Sequence, residues 1–118
     1  MQLVITGKIK PYTRMTQRGK FVDPQAQAYL ASQERIRSQM VNQVWDYERP
    51  IIKRGVPIRF HAVIMGYGHN CDVSNLMKAL EDAAQGILFH NDCWVDDLHG
   101  VRSDFKAEPK IILLVEKI

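Results

Sequence analysis

The strongest constraint on the fold is the segment from Asp72 to Gly86, which predicts a short amphipathic helix. Asp72 can cap the first free amides, and Gly86 is a usual residue at the end of a helix. Between them, apolar and polar residues fall on two stripes with a period of about 3.6 residues. The apolar stripe consists of Leu76, Ala79, Leu80, Ala83 and Ile87, and the opposite side carries Asn75, Lys78, Asp82 and Gln85. We therefore expect a helix that packs on a core and turns its polar side to a cleft or to solvent.

The N-terminal part predicts a strand followed by the longest helix. Residues 2–9 mix Leu, Val, Ile and Thr, which are typical of strands. Asp23 followed by Pro24 is a typical helix start, because Asp caps the amides and Pro suits the first helical position. Apolar side chains then recur with the helical period to about residue 45.

The remaining patterns predict three more strands. Residues 56–65 alternate apolar with polar side chains, which indicates a strand with one buried face. Further strands are expected at about 94–103 and 111–115. The order strand, long helix, strand, short helix, strand, strand is typical of an α+β fold, with two helices on one side of a small mixed β-sheet.

Length and composition limit the class of protein. A chain of 118 residues with 46% hydrophobic residues suits a single domain, residues 1–118, with one core. It contains no run of about 18 apolar residues and no secretory leader pattern, so we expect a cytoplasmic protein with no membrane partner. Two cysteines, Cys71 and Cys93, are too few for a disulfide scaffold.

Basic residues are concentrated near the N-terminus. The net charge of +3 is a weak signal, but the first 22 residues contain five basic and no acidic side chains. Residues 12–22 predict an exposed hairpin or loop. A basic arm of this kind can follow a phosphate backbone, although a solvated surface loop is an equally good interpretation of charge alone. The candidate DNA contacts are Lys10, Arg14, Arg18 and Lys20.

Two carboxylates and a lysine form the candidate catalytic group. Asp72 precedes the short helix, and Lys78 lies on its polar side. Asp92 follows the apolar residues 87–89 that come after the helix. Oxygen ligands for a hard cation and a fixed positive charge for phosphate are what metal-assisted phosphodiester cleavage needs. From residue 74 to residue 85 the predicted helix would rise roughly 18 Å. The six residues 86–91, if extended, could reach back over roughly 20 Å. The two acids could therefore meet within a subunit, or a partner subunit could supply Asp92.

Each of these residues also has a purely structural interpretation. Asp72 could be an ordinary helix cap, and Asp92 could be a turn residue. Lys78 and Asp82 could form a weak surface ion pair at i and i+4.

Residues 72–95 resemble the signature of RusA-type Holliday-junction resolvases. That signature is an Asp-x-Asp/Ser-Asn-Leu-x-Lys helix, a variable hydrophobic passage and a pair of acids before the next strand. The resemblance implies a RusA-like α+β fold and a homodimeric crossover junction endodeoxyribonuclease from a bacterial or phage-infected cell. It further implies symmetric cutting of four-way DNA junctions with Mg²⁺ as the cofactor, for which Mn²⁺ could substitute.

The resemblance also assigns roles to particular residues. Asp72 and Asp92 match the family's metal-binding acids, and Lys78 matches its active-site lysine. Asn75 and Asp82 match the polar face of the motif and are supporting residues.

Two positions depart from the family pattern. Ser74 stands where many members have a second Asp, and Asn91 stands where an Asp often precedes the last acid. Fewer negative ligands should weaken Mg²⁺ binding. Ser74 can still contribute a neutral oxygen to the metal site, and Asn91 is assigned a supporting role.

Two alternatives belong to other functional classes. A small zinc-binding module could use the imidazoles and thiols of His69, Cys71, His90 and Cys93, which have the right chemistry for a tetrahedral site. The second alternative is a protein that binds junctions but is weakened in catalysis by Ser74 and Asn91.

Overall fold

The computed structural model describes residues 1–13 and 23–118 and has the predicted order of elements. The predicted α+β class, with a small mixed sheet and two helices, is confirmed. Within the described residues, no helix is long and apolar enough to span a bilayer. The elements are β1 (Gln2–Thr6), α1 (Pro24–Gln43), β2 (Ile58–Met65), α2 (Val73–Ala84), a single 3₁₀ turn (Asp92–Trp94), β3 (Val95–Ser103) and β4 (Lys110–Lys117).

The four strands form one sheet in the order β1-β4-β2-β3. β4 is antiparallel to both of its neighbours, whereas β3 is parallel to β2. A parallel pair needs a crossover connection, and α2 provides it. The crossover carries the chain from the end of β2 over one face of the sheet and back to the start of β3.

One face of the sheet and both helices enclose the core. The strand register aligns Leu3 with Leu113 and Leu113 with Ala62, and all three side chains are buried. Leu76 and Leu80 of α2 belong to the same buried cluster, as do Ile36 and Met40 of α1. The apolar stripe predicted for α2 therefore packs on the sheet, which leaves its polar side to face outward.

Helix α1 also covers the exposed edge of β1. The Gln39 side chain accepts a hydrogen bond from the Thr6 amide and donates one to the Thr6 carbonyl. Gln43 makes the same pair of bonds with Val4. These amides satisfy backbone groups that an edge strand would otherwise leave open to another chain.

The strand predicted for residues 2–9 was wrong at its end. Gly7 has a φ of +77° and donates its amide to the Pro109 carbonyl, so the chain turns away from the ladder after Thr6. Ile9 remains buried, but its amide donates to the Tyr67 hydroxyl at 2.8 Å. The apolar content of this stretch reflects burial under a tyrosine rather than strand pairing.

We expect Gly66→Ala to lower the free energy of unfolding by about 2–4 kcal/mol. Gly66 has a φ of +79°, and a Cβ there would lie 2.6 Å from both the Ala107 oxygen and the Pro109 nitrogen. Chemical denaturation followed by circular dichroism measures the loss. Gly55→Ala is the matched control, because Gly55 has a φ of +89° but nothing within 4 Å of a Cβ. It should lose only the backbone cost, about 1 kcal/mol. Equal losses in the two variants would contradict a steric role for this contact.

Candidate active site

Arg102 holds the turn that delivers Asp72 to the start of α2. It lies on β3 opposite Ile64 of the parallel strand β2. Its guanidinium donates to the carbonyl oxygens of Gly68 and Cys71. Because the two ends of this turn share one donor group, the residue that follows, Asp72, leaves in a fixed direction.

Asp72 caps α2, as its sequence position predicts. Its Oδ1 accepts hydrogen bonds from the Ser74 amide at 2.8 Å and from the Ser74 hydroxyl at 2.6 Å. These bonds lower the pKa of Asp72, with smaller contributions from the Asn75 amide and the positive charge of Arg102. Asp72 is thus an ionised carboxylate at an exposed position, and the Ser74 hydroxyl points at it.

Lys78 lies between two carboxylates on the polar side of α2. Its Nζ is 3.1 Å from Asp82 Oδ1 and 3.2 Å from Asp92 Oδ2. The ring of Tyr12 lies on another side, with its centroid 5.9 Å from Nζ. Partial burial acts against the charge, but the hydrogen bonds and charges of Asp82 and Asp92 outweigh it and raise the pKa of Lys78. The lysine is a held ammonium group, and its side chain is 42% exposed.

A buried segment between α2 and the 3₁₀ turn presents Asp92. After Gly86, residues 87–89 are buried, and the carbonyls of Ile87 and Leu88 accept amides from Ile51 and Ile52. The Asn91 side chain then accepts the Cys93 amide at 2.9 Å and caps the single 3₁₀ turn that begins at Asp92. Asn91 is therefore engaged in shaping the backbone around Asp92.

Asp72 and Asp92 lie beside different parts of α2: Asp72 caps its start, and Asp92 lies next to its middle. Asp92 lies beside Lys78, which is six residues and about 9 Å of helix beyond Asp72. Among the described residues, Asp72 and Asp92 share no hydrogen-bonding partner. No three His, Cys, Asp or Glu side chains of residues 1–13 and 23–118 are grouped to hold a metal ion. The carboxylates of Asp72 and Asp92 and the hydroxyl of Ser74 are oxygen donors, which is the chemistry that hard cations prefer.

The zinc alternative finds no support in this geometry. In the part of the chain that the structure describes, no three of His69, Cys71, His90 and Cys93 surround a common point. Cys71 is half-buried and Cys93 is exposed, and both are free thiols.

Sequence reasoning missed three residues of this region. Glu81 is half-buried on α2, and burial followed by the negative charge of Asp92 raises its pKa. Arg102 anchors the turn before Asp72, and the Tyr29 hydroxyl donates to Asp82 at 3.0 Å. The spacing of Glu81 three residues after Lys78 could have indicated its place on the same side of the helix. Nothing in the local sequence indicates the other two, which reach the site through tertiary contacts.

The start of the basic loop lies against α2. The Tyr12 amide donates to the Asn75 carbonyl at 3.0 Å, and the Lys10 amide donates to the buried hydroxyl of Ser32 at 2.9 Å. Lys10 itself is exposed. The other predicted DNA contacts, Arg14, Arg18 and Lys20, lie outside the described residues. The described chain resumes at Asp23, which caps α1 as predicted.

Comparison with known proteins identifies the family. No curated protein matches the chain. The family model of endodeoxyribonuclease RusA matches residues 3–116. This stretch contains both helices and every candidate site residue. Since the match covers nearly the whole chain, this protein belongs to the RusA family of endodeoxyribonucleases.

Proposed function

We propose that this protein is a Mg²⁺-dependent, structure-selective endonuclease that resolves Holliday junctions by paired symmetric nicks in DNA recombination and repair. The observation that carries the proposal is the contact of 3.2 Å between Lys78 and Asp92. A carboxylate from beyond the helix and an ammonium on the helix are brought together in a member of an endodeoxyribonuclease family.

Asp72, Ser74 and Asp92 are the residues proposed to hold the metal. When bound there, Mg²⁺ would polarise a phosphoryl oxygen and lower the pKa of a coordinated water, and Mn²⁺ could replace it. The Ser74 hydroxyl and the amides of the first helical turn keep Asp72 ionised and oriented. Asn91 supports the site by fixing the turn that starts at Asp92.

Lys78 is proposed to neutralise charge that develops on the phosphate during cleavage. A preorganised cation stabilises such charge without reorganising at the moment of reaction. Lys78 fits this role because two carboxylates hold its ammonium while its side chain stays 42% exposed. Its contact with Asp82 at i+4 is then part of the site rather than an ordinary surface pair.

DNA binding is proposed to involve Lys10 and the basic loop with Arg14, Arg18 and Lys20. The described start of this loop, at Tyr12, contacts α2 within one turn of Lys78. The described residues that lead into this segment therefore lie beside the proposed site of cleavage. Contacts of basic side chains with the phosphate backbone give affinity that falls with salt and reads little sequence.

Paired nicks need two sites, and we propose a homodimer that forms through the open face of the sheet. Val4, Ile112, Val63 and Val101 are aligned across all four strands on the face opposite the helices. Val63 and Val101 are 36% and 44% exposed. An apolar row across a sheet is self-complementary, so a second copy related by a two-fold axis can cover it.

We expect Val101→Glu to convert the dimer to a monomer, because it would bury a charge in this row. Light scattering after size exclusion measures the mass. Leu98→Glu is the control, since Leu98 is 49% exposed on the same strand but its side chain points to the other face. A dimer that survives Val101→Glu would reject this interface. It would favour association through another surface of the protein.

The function is tested with a labelled synthetic four-way junction, with and without Mg²⁺ or Mn²⁺, beside a linear duplex of the same sequence. We expect symmetric nicks in the junction only, and only with a metal. Binding without product in either metal would favour the junction-binding protein weakened through Ser74 and Asn91. Stoichiometric zinc in the purified protein would favour the zinc-binding module.

A further inference from the structure

A line of polar contacts joins helix α1 to the lysine of the proposed site. The Tyr29 hydroxyl on α1 donates to Asp82 Oδ2 at 3.0 Å. The other oxygen of that carboxylate, Oδ1, lies 3.1 Å from Lys78 Nζ. Lys78 in turn contacts Asp92. One carboxylate therefore links the exposed ammonium to a side chain of another helix.

Tyr29 is a fixed donor. Its side chain is only 3% exposed, and its ring meets the Tyr12 ring edge to face, with centroids 5.9 Å apart. Burial raises the pKa of Tyr29, and the negative charge of Asp82 raises it further. The hydroxyl therefore stays protonated near neutral pH and is the donor of the hydrogen bond to Asp82.

An ion pair at i and i+4 does not by itself fix a lysine on a helix surface. Both side chains rotate, and such pairs are weak in water. The bond from Tyr29 occupies Oδ2 of Asp82 and restricts rotation of the carboxylate, so Oδ1 stays directed at Lys78. The Tyr12 ring centroid also lies 5.9 Å from the ammonium, within range of a weak cation–π contact.

We propose that Tyr29 is a positioning residue for Lys78, and that its hydroxyl acts through Asp82 to hold the ammonium where it meets the phosphate to be cut. This inference rests on the nuclease function proposed above. Tyr29 is buried and its hydroxyl is bonded to Asp82, so it is not expected to contact DNA. Losing the hydroxyl should therefore slow cleavage without weakening junction binding.

The first test compares Tyr29→Phe with the wild type in single-turnover cleavage of the labelled four-way junction. We expect a rate roughly ten- to a hundredfold lower, as for other small displacements of active-site groups, with an unchanged Kd in gel shift. Tyr67→Phe is the matched control. Tyr67 is fully buried, and its hydroxyl accepts from Ile9 and donates to Gly7, away from Lys78. Its variant should cut at the wild-type rate, and a wild-type rate for Tyr29→Phe would overturn the proposal.

A double-mutant cycle separates positioning from general destabilisation. In the Lys78→Ala background, Tyr29→Phe should cause no further loss of rate, because the group that it positions is gone. If Tyr29→Phe slows cleavage by the same factor in both backgrounds, the hydroxyl acts elsewhere and the proposal falls.

A measurement without cleavage keeps this proposal distinct from the nuclease function. Relaxation of the ¹³Cε nucleus reports the order of the Lys78 side chain on the fast timescale. We expect this order to fall in Tyr29→Phe and to stay at the wild-type value in Tyr67→Phe. Unchanged order in Tyr29→Phe would overturn the positioning role. A wild-type protein that cuts no junction in Mg²⁺ or Mn²⁺ would reject the proposed function, and the relaxation comparison would still decide the role of Tyr29.

Discussion

Asp92→Asn is expected to abolish junction cleavage while leaving junction binding intact. The loss of rate should be about a thousandfold or more, which is typical when an essential active-site group is removed. The amide is nearly isosteric, and its oxygen can still accept the hydrogen bond that Lys78 now donates at 3.2 Å. What it removes is the negative charge, on which capture of a hard cation depends.

Single-turnover cleavage with enzyme in excess measures the rate, and gel shift without a cleaving metal measures binding. Asp96→Asn is the matched control, because Asp96 is an exposed acid four residues further along the chain. It should cut like the wild type, which would show that loss of one surface charge is harmless. Undiminished cutting by Asp92→Asn would show that Asp92 is not part of the site. The proposed metal site of Asp72, Ser74 and Asp92 would then be rejected.

The elements of the fold could be predicted where local chemistry decides them. Asp23 and Asp72 cap the two helices that their positions predict, because the free amides at the start of a helix need an acceptor and an Asp side chain provides one. The pairing of the strands could not be predicted in the same way. The parallel register of β2 and β3 depends on the crossover through α2, and that register brings Arg102 to the turn before Asp72.

In the candidate site, too, local patterns predict some relations between residues, and tertiary contacts decide the others. Asp72 and Lys78 lie on one helix, so their relation follows from the helical period. For the return to Asp92, the sequence gives only the reach of six extended residues, 86–91, which is an upper limit. In the structure these residues turn at Gly86, where φ is +81°, and bond to Ile51 and Ile52. Asp92 therefore arrives beside Lys78, near the middle of the helix.

Tyr29 illustrates a limit of periodicity. Its place on the apolar stripe of α1 predicts a core residue, and its ring is indeed buried. The hydroxyl at its tip nevertheless reaches a carboxylate of another helix. A tyrosine can pack its ring in the core and still hydrogen-bond a polar group through its hydroxyl. The hydrophobic pattern of the sequence indicates only the packing of the ring.

Lys78→Ala is expected to slow cleavage by about a hundred- to a thousandfold, with a Kd for the junction within about threefold of the wild type. The rate falls because one preorganised cation is lost where charge develops on the phosphate. The affinity changes little because binding is shared among many contacts to the phosphate backbone. Single-turnover cleavage and gel shift at the same salt concentration measure the two quantities.

The control for this prediction is another lysine that is paired with an acid. Lys53 lies 3.2 Å from Glu48, with side chains 58% and 85% exposed, so Lys53→Ala removes the same charge from an ordinary surface pair. It should change neither rate nor affinity by more than about twofold. The split between rate and affinity distinguishes a group that acts in the transition state from one that only grips DNA. A weaker Kd with an unchanged single-turnover rate in Lys78→Ala would assign Lys78 to the second class.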